Sequence, residues 1–243
     1  MQFDNADRRS FLKTMGAAGM LSAIPQSSLG FHDGSAQVLH EIAAAGSVLD
    51  EKPKYSIKFG VIGLDHNHIM GITAAVIRGG GELVSFYSNL PKATTDFQKI
   101  YPNAKLARSE EEILSDPSIQ LVASAGIPNL RAPLGIRVMQ HGKDYLSDKP
   151  AITTLQQLAD VRKVSADTGR IFAIMYSERL EVRAAVQAGY LIKDGAIGKV
   201  VQTINIAPHQ VNAPSRPDWF WDPKQYGGIL CDIGSHQADQ FVY

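Results

Sequence analysis

Beyond Tyr55, continuous apolar runs alternate with segments whose apolar residues recur every three or four positions. The runs are typical of buried strands and the periodic segments of amphipathic helices. This pattern predicts strands at 57–64, 83–87, 104–107, 119–125, 144–147 and 171–175, and helices at 69–77, 92–100, 130–141 and 154–168. Strands joined by crossover helices predict an α/β fold, with a mostly parallel Rossmann-type sheet covered by helices on both faces and a ligand at the carboxyl ends of the strands.

The pattern changes after Ser177. A helix is predicted at 180–192 and an alternating strand at 200–206, followed by a loop rich in proline and tryptophan. We place a domain boundary near Asp148, which gives a nucleotide-binding domain at 55–148 and an α+β substrate domain at 149–243. This second domain is expected to be incomplete, because one strand does not form a stable sheet.

The amino end has the layout of an export signal. Arg8 and Arg9 precede a short uncharged run of small residues, and the order resembles a twin-arginine signal. We interpret 1–36 as signal and tether and 37–54 as a linker, which predicts a periplasmic or otherwise exported protein. The apolar run is too short to span a bilayer, so no stable membrane association is expected after signal removal. A charged tail before an ordinary helix is the alternative.

Composition narrows the class of partner. The 24 basic and 24 acidic residues cancel, so no nucleic-acid partner is expected and a small-molecule ligand is favoured. A single cysteine, Cys231, excludes an intrachain disulfide, and it is interpreted as a small buried residue.

The first strand ends in Gly63-Leu-Asp65-His66-Asn-His68, where a dinucleotide-binding fold has its phosphate turn. Only the first of the three glycines of that motif is present. Gly63, Asp65 and His66 are candidate cofactor-binding residues; alternatively, Asp65 is only a helix cap and the histidines are loop residues. The His66-x-His68 pair also suits a metal. No further ligand cluster is apparent in the sequence, so no metal is expected.

The second strand ends at Ser88-Asn89, without the acidic residue that binds the ribose of NAD. These two residues, with Lys92 one turn later, favour NADP slightly over NAD; a plain turn is the alternative. Pro128 and Asn129 follow the fourth strand, and Lys149, in Asp-Lys-Pro, follows the fifth; all three are further candidate cofactor-binding residues. Lys149 can point into the cleft and polarise a substrate oxygen, or it can be a solvated surface lysine.

Asp232 and His236 stand four residues apart behind a glycine pair. On a helix both side chains share one face, either as a catalytic group or as a surface pair. Histidine is the natural general base near neutral pH.

The chain resembles the Gfo/Idh/MocA oxidoreductases over about residues 55–243. The resemblance rests on the order of four features: Gly63, Pro128-Asn129, Asp-Lys149-Pro, and the glycine-led motif with Asp232 and His236. The resemblance implies NAD or NADP bound by the first domain, hydride exchange with a sugar or cyclitol, and Lys149, Asp232 and His236 as catalytic residues. Arg131 departs from the family, which commonly has histidine there.

The leading hypothesis is therefore an NAD(P)-dependent oxidoreductase that acts on a carbohydrate-like alcohol and is a homo-oligomer at full length. Glycoside cleavage through transient oxidation by retained nucleotide is one alternative. A non-catalytic ligand-binding protein, or an inactive fragment truncated after Tyr243, is another. The loop residues Trp219, Phe220 and Trp221 are candidates for stacking on a sugar ring, although core packing or a subunit contact also suits them.

Overall fold

A computed structural model describes residues 56–242, which lie within one compact unit, Glu51–Tyr243. The predicted signal, tether and linker at 1–54 lie outside the described residues and stay predictions.

The strands are β1 (Ile57–Ile62), β2 (Gly81–Tyr87), β3 (Lys105–Leu106), β4 (Leu121–Ser124), β5 (Asp144–Asp148) and β6 (Phe172–Met175). The helices are α1 (His68–Arg78), α2 (Pro91–Ile100), α3 (Glu110–Leu114), α4 (Pro128–Gln140), α5 (Leu155–Thr168), α6 (Ser177–Leu180), α7 (Arg183–Lys193), α8 (Pro223–Tyr226), α9 (Ile229–Asp232) and α10 (Gly234–Val242), with 3₁₀ turns at Ala213–Ser215 and Asp218–Trp221.

The six strands form one parallel sheet in the order β3-β2-β1-β4-β5-β6. The order reverses between β1 and β4, and such a switch point opens a crevice at the carboxyl ends of the strands. The predicted α/β fold is confirmed. The sheet includes β6 and so continues to Met175, past the predicted domain boundary near Asp148, which stays a prediction.

Alternation along β1 explains the two main cores. Phe59 and Val61 pack on one face with Ile69 of α1 and Phe97 of α2. Ile62 packs on the other face with Ile113 of α3 and residues of α4 and β5. Successive strand side chains point to opposite faces, so helices cover the sheet on both sides.

The predicted strand at 200–206 is wrong. These residues are described without regular structure, and Val201, Ile204 and Ile206 are each more than three-quarters exposed. A strand obtains its backbone hydrogen bonds from a neighbouring strand. Among residues 56–242, no strand follows Met175, so this segment has no pairing partner there.

One local prediction was close to the structure. The predicted helix at 180–192 corresponds to α7, which begins three residues later, at Arg183; Leu180 instead ends the short helix α6. Ser109 caps α3, because its side chain accepts a hydrogen bond from the Glu112 amide. None of the helices in the described part of the chain is long and apolar enough to cross a membrane.

Candidate active site

The turn after β1 brings the backbone of two strands very close together. Gly63 has φ +85°, and a Cβ added there would lie 3.0 Å from the Cα of Gly126, which follows β4. The Gly63 amide donates to the Tyr87 carbonyl, and the His66 amide donates to the Ala125 carbonyl, both at 3.0 Å. Only glycine fits this position without strain.

A cavity of about 540 Å³ opens beside this turn at the ends of β1, β2 and β4. Four of the predicted cofactor-binding residues line it, namely Gly63, Asp65, Ser88 and Asn89. Two acids of α3 also line this cavity: Glu110 pairs with Arg137 at 2.7 Å, and Glu111 accepts a hydrogen bond from the Ser115 hydroxyl at 2.7 Å. Burial raises the pKa of Asp65, against the effects of its own backbone hydrogen bond and the Arg131 charge.

A second cavity, of about 450 Å³, lies at the ends of β1 and β5. Its lining includes the other predicted site residues His66, Pro128, Lys149, Asp232 and His236, and also Trp219 and Phe220. Asn129 lines neither cavity: its carbonyl accepts from Gln157 at 2.8 Å, and its buried side-chain oxygen has no hydrogen-bond partner.

Lys149 and Asp232 form a buried ion pair across 83 residues of sequence. The Lys149 ammonium donates to Oδ1 of Asp232 at 2.6 Å, and both side chains are about one-tenth exposed. Lys149 directly follows β5, whereas Asp232 is the last residue of α9. The chain bends at Ile233, so Asp232 and His236 lie on consecutive helices rather than on one. The single helix that would place Asp232 and His236 on one face is therefore not formed, and the position of the Asp232 carboxylate is fixed by Lys149.

His236 is buried at 4% exposure, and its Nδ1 has no hydrogen-bond partner. Its Nε2 lies 3.9 Å from the Glu178 carboxylate, and its ring packs edge-on against Tyr176. Burial is the main cause that lowers the pKa of His236; Lys149 adds to this effect, and Glu178 and Asp232 oppose it. Sequence reasoning missed Glu178, because an acid after β6 carries no motif.

Arg131 is 1% exposed and binds the loops that carry the site. Its Nε donates to the Gly126 carbonyl at 2.7 Å, and its Nη1 donates to the carbonyls of Lys149 and Pro150 at 2.6 and 3.2 Å. Its Nη2 lies 3.2 Å from Oδ2 of Asp148. A planar fork with five donors suits these converging acceptors, which a histidine could not all satisfy.

His66 and His68 both face Asp148, a contact that the sequence did not indicate because the residues are about 80 positions apart. Nδ1 of His68 lies 3.1 Å from Oδ1 of Asp148, and Nδ1 of His66 lies 3.7 Å from Oδ2. Burial lowers the pKa of His66 to about 3. Burial alone would raise the pKa of Asp148, but the His68 hydrogen bond and Arg131 hold it at about 2.

The turn after β1 contributes to both cavities, and Arg131 lines both. Two adjoining cavities of this size suit a ligand with two halves, and Gly63 lines the larger of them. A dinucleotide therefore fits the crevice. Asp65 and His68 occupy positions where the usual motif has glycine, so the turn itself offers side chains as well as amides.

Comparison with protein families matches two adjacent parts of the chain. The model of an oxidoreductase family with an NAD-binding Rossmann fold matches residues 57–176, and the model of the GFO/IDH/MocA C-terminal domain matches residues 185–243. Together they account for most of the described chain.

Among solved structures, a protein from Erwinia carotovora atroseptica, provisionally assigned as an oxidoreductase, is 44% identical with a TM-score of 0.74. The match covers 77% of this chain and 56% of that one. Levoglucosan dehydrogenase in complex with NADH has a TM-score of 0.62 at 19% identity, over 76% of this chain and 53% of that one, which shows a shared fold.

Two curated relatives are the D-xylose dehydrogenase of Paenarthrobacter nicotinovorans and the scyllo-inositol 2-dehydrogenase (NADP⁺) of Bacillus subtilis. They are 21% and 22% identical, over 52% and 62% of this chain and over 34% and 41% of their own lengths. The chain thus spans about two-fifths or less of the length of these two curated relatives.

Proposed function

The chain belongs to the Gfo/Idh/MocA family of oxidoreductases, and on that premise we propose that the whole protein transfers a hydride between a nicotinamide nucleotide and a carbohydrate-like alcohol. The observation that carries the proposal is the buried Lys149–Asp232 pair, which lines one cavity together with His236 at the ends of β1 and β5. The names of the sugar and inositol dehydrogenases among its relatives support a polyhydroxylated substrate.

Oxidation of an alcohol requires that the hydroxyl proton leave as the hydride leaves carbon. His236 is suited to accept that proton, because its lowered pKa keeps the imidazole neutral near neutral pH and Nδ1 lacks a protein partner. When bound, a nicotinamide nucleotide supplies the hydride acceptor.

Lys149 is suited to stabilise the oxygen that loses the proton. An ammonium has three donors, and Asp232 accepts one of them at 2.6 Å, which fixes the position of the side chain. A second donor can then bind the substrate oxygen as negative charge develops on it. Arg131 supports this geometry, because its Nη1 donates a hydrogen bond to the backbone carbonyl of Lys149 at 2.6 Å.

Gly63, Asp65, Ser88 and Asn89 would hold the adenosine side of the nucleotide in the larger cavity. The end of β2 presents a hydroxyl and an amide rather than an unpaired carboxylate. Such an end tolerates the extra phosphate of NADP better than an acidic residue at the same position would, because a hydroxyl and an amide can donate hydrogen bonds to it. We therefore propose NADP as the preferred form.

The test is to replace Lys149 and His236 separately by alanine and to measure turnover on a panel of sugars and cyclitols. We expect each variant to lose about 10²-fold or more in kcat, because general acid–base and charge-stabilising groups contribute at that level. Nucleotide binding, followed by fluorescence titration, should remain close to wild type.

His141→Ala is the matched control, since this histidine lies at the far end of α4 and lines neither cavity; its Nδ1 contacts the Arg137 carbonyl and its Nε2 lies 3.4 Å from the Glu111 carboxylate. Full activity of either site variant would overturn the assigned roles. Absence of any nucleotide binding to the wild-type protein would overturn the proposed function itself.

A further inference from the structure

Three side chains at the sheet edge take no part in the proposed proton and hydride chemistry. His66 and His68 follow β1, Asp148 ends β5, and all three line the cavity that also contains Lys149 and His236. We propose that His66, His68 and Asp148 form a binding site for one divalent transition-metal ion, with zinc as the best-suited ion.

The distances allow a shared ion with small adjustments. One ligand atom from each residue can be chosen so that all three lie within 4.8 Å of one another. Nδ1 of His68 lies 3.1 Å from Oδ1 of Asp148, and Nδ1 of His66 lies 3.7 Å from the other oxygen, Oδ2. Metal–ligand bonds of about 2.0–2.2 Å separate the ligand atoms of a tetrahedral zinc ion by about 3.4 Å. Two imidazoles and one carboxylate also form a donor set that borderline divalent metals prefer over Mg²⁺ or Ca²⁺.

The hydrogen bonding of the cluster leaves a place for a cation. The His68 amide donates to Nδ1 of His66 at 3.3 Å, so this nitrogen is unprotonated, and a metal ion bound there would replace this long hydrogen bond. It lies 3.7 Å from Oδ2 of Asp148, a buried oxygen that has no hydrogen-bond donor. A metal ion between these two acceptors would bind both and give Oδ2 the partner that it lacks.

Arg131 is the competing cation. Its Nη2 lies 3.2 Å from the same Oδ2 but without hydrogen-bond geometry, because its other donors are directed to backbone carbonyls. Its charge offsets that of Asp148, so we expect the site to bind metal more weakly than one with an unshared carboxylate. Coordination through Nδ1 of His68 would replace its hydrogen bond to Asp148, and the ring proton would then reside on Nε2.

Three protein ligands leave at least one coordination position open, as in catalytic rather than structural zinc sites. Because all three residues line the cavity, that position would be accessible to water or to an oxygen of a bound ligand. This proposal is independent of hydride transfer, since metal binding is measured without nucleotide or substrate.

The experiment uses the complete, tag-free chain, stripped of metal with chelator. It is titrated with Zn²⁺ by calorimetry and with Co²⁺ by visible absorption, with Mg²⁺ as the hard-cation comparison. We expect one equivalent of Zn²⁺ and of Co²⁺ to bind, a Co²⁺ spectrum of low coordination number, and no comparable binding of Mg²⁺.

His68→Gln is the main variant, because its side chain is 43% exposed and its loss should be tolerated by the fold. We expect this variant and His66→Gln to weaken Zn²⁺ binding at least tenfold, whereas the control His141→Gln leaves it unchanged. The proposal is overturned if the wild type binds no stoichiometric metal, or if the His66→Gln/His68→Gln double variant binds as well as the wild type. In either case the cluster is an ion-pair network around Asp148 only.

Discussion

At the scale of single residues, the protonation of His236 is set by charges from several packed elements. Burial and Lys149, after β5, lower its pKa, whereas Glu178 of α6, Asp232 of α9 and Asp148 of β5 raise it. Among these acids Glu178 has the largest effect on the pKa of His236, and its carboxylate lies 3.9 Å from Nε2. A single substitution there should therefore change the ionisation of the proposed base without touching Lys149.

Glu178→Gln removes a negative charge that favours the imidazolium form, so the pKa of His236 should fall further. A base with a lower pKa stays neutral at lower pH, and the acidic limb of the kcat/KM profile should move to lower pH. The measurement is the pH profile of the variant beside wild type and Glu181→Gln, whose carboxylate pairs with Arg78 at 3.3 Å instead. An unchanged limb, or an equal shift in Glu181→Gln, would mean that His236 is not the titrating base.

Sequence reasoning found the residues with a motif and missed their partners. Lys149, Asp232 and His236 were predicted as a group, and the structure places all three in the lining of one cavity. Glu178 and Asp148 could not be predicted in the same way, because their importance comes only from folding: β6 leads into α6 beside α10, and β5 ends against the turn after β1.

At the scale of elements, α4 is packed closely against β5 and β6. A Cβ added at Gly135 of α4 would lie 2.5 Å from the Tyr145 ring and still closer to Phe172. The two rings pack with each other at 5.1 Å. The helix that carries Pro128 and Arg131 into the site is thus held at a distance from the sheet that glycine alone permits.

Gly135→Ala should destabilise the protein by about 1–3 kcal/mol, because the overpacking penalty exceeds the gain in helix propensity. Gly71→Ala, in α1, is the matched control, since a Cβ there has no atom within 4 Å. This control should stabilise the protein by about 0.5–1 kcal/mol. Urea unfolding of both variants checks the pair, and stabilisation by both would show that α4 can move away from the sheet.

The strands predicted well from the sequence are those whose hydrophobic pattern matches their burial in the structure. Central strands such as β1 and β4 are buried on both faces and read as continuous apolar runs, which the sequence shows directly. The segment at 200–206 also has a strand pattern, but alternation states only which side chains could be buried together. It contains no information on whether a neighbouring strand is present to pair with it.

At the scale of the whole molecule, the two parts of the described chain differ in how they are held. The hydrophobic clusters draw their buried members from residues 59–161. From Ser177 to Val242 only Asp232 and His236 are buried, and both are candidate catalytic residues. This carboxyl-terminal part therefore has no buried apolar core of its own within the described residues.

This difference predicts a steep gradient of local stability, which hydrogen exchange followed by mass spectrometry can measure. Amides of β1 and β4 lie in the centre of the sheet and should exchange only through large-scale unfolding. Amides at 200–210 donate no backbone hydrogen bond within the described residues, so they should exchange within the earliest time points. Strong protection at 200–210 would contradict this expectation and show that the segment pairs with another strand. Loss of that protection on dilution would then identify a second copy of the chain as its source, because only pairing between molecules depends on protein concentration.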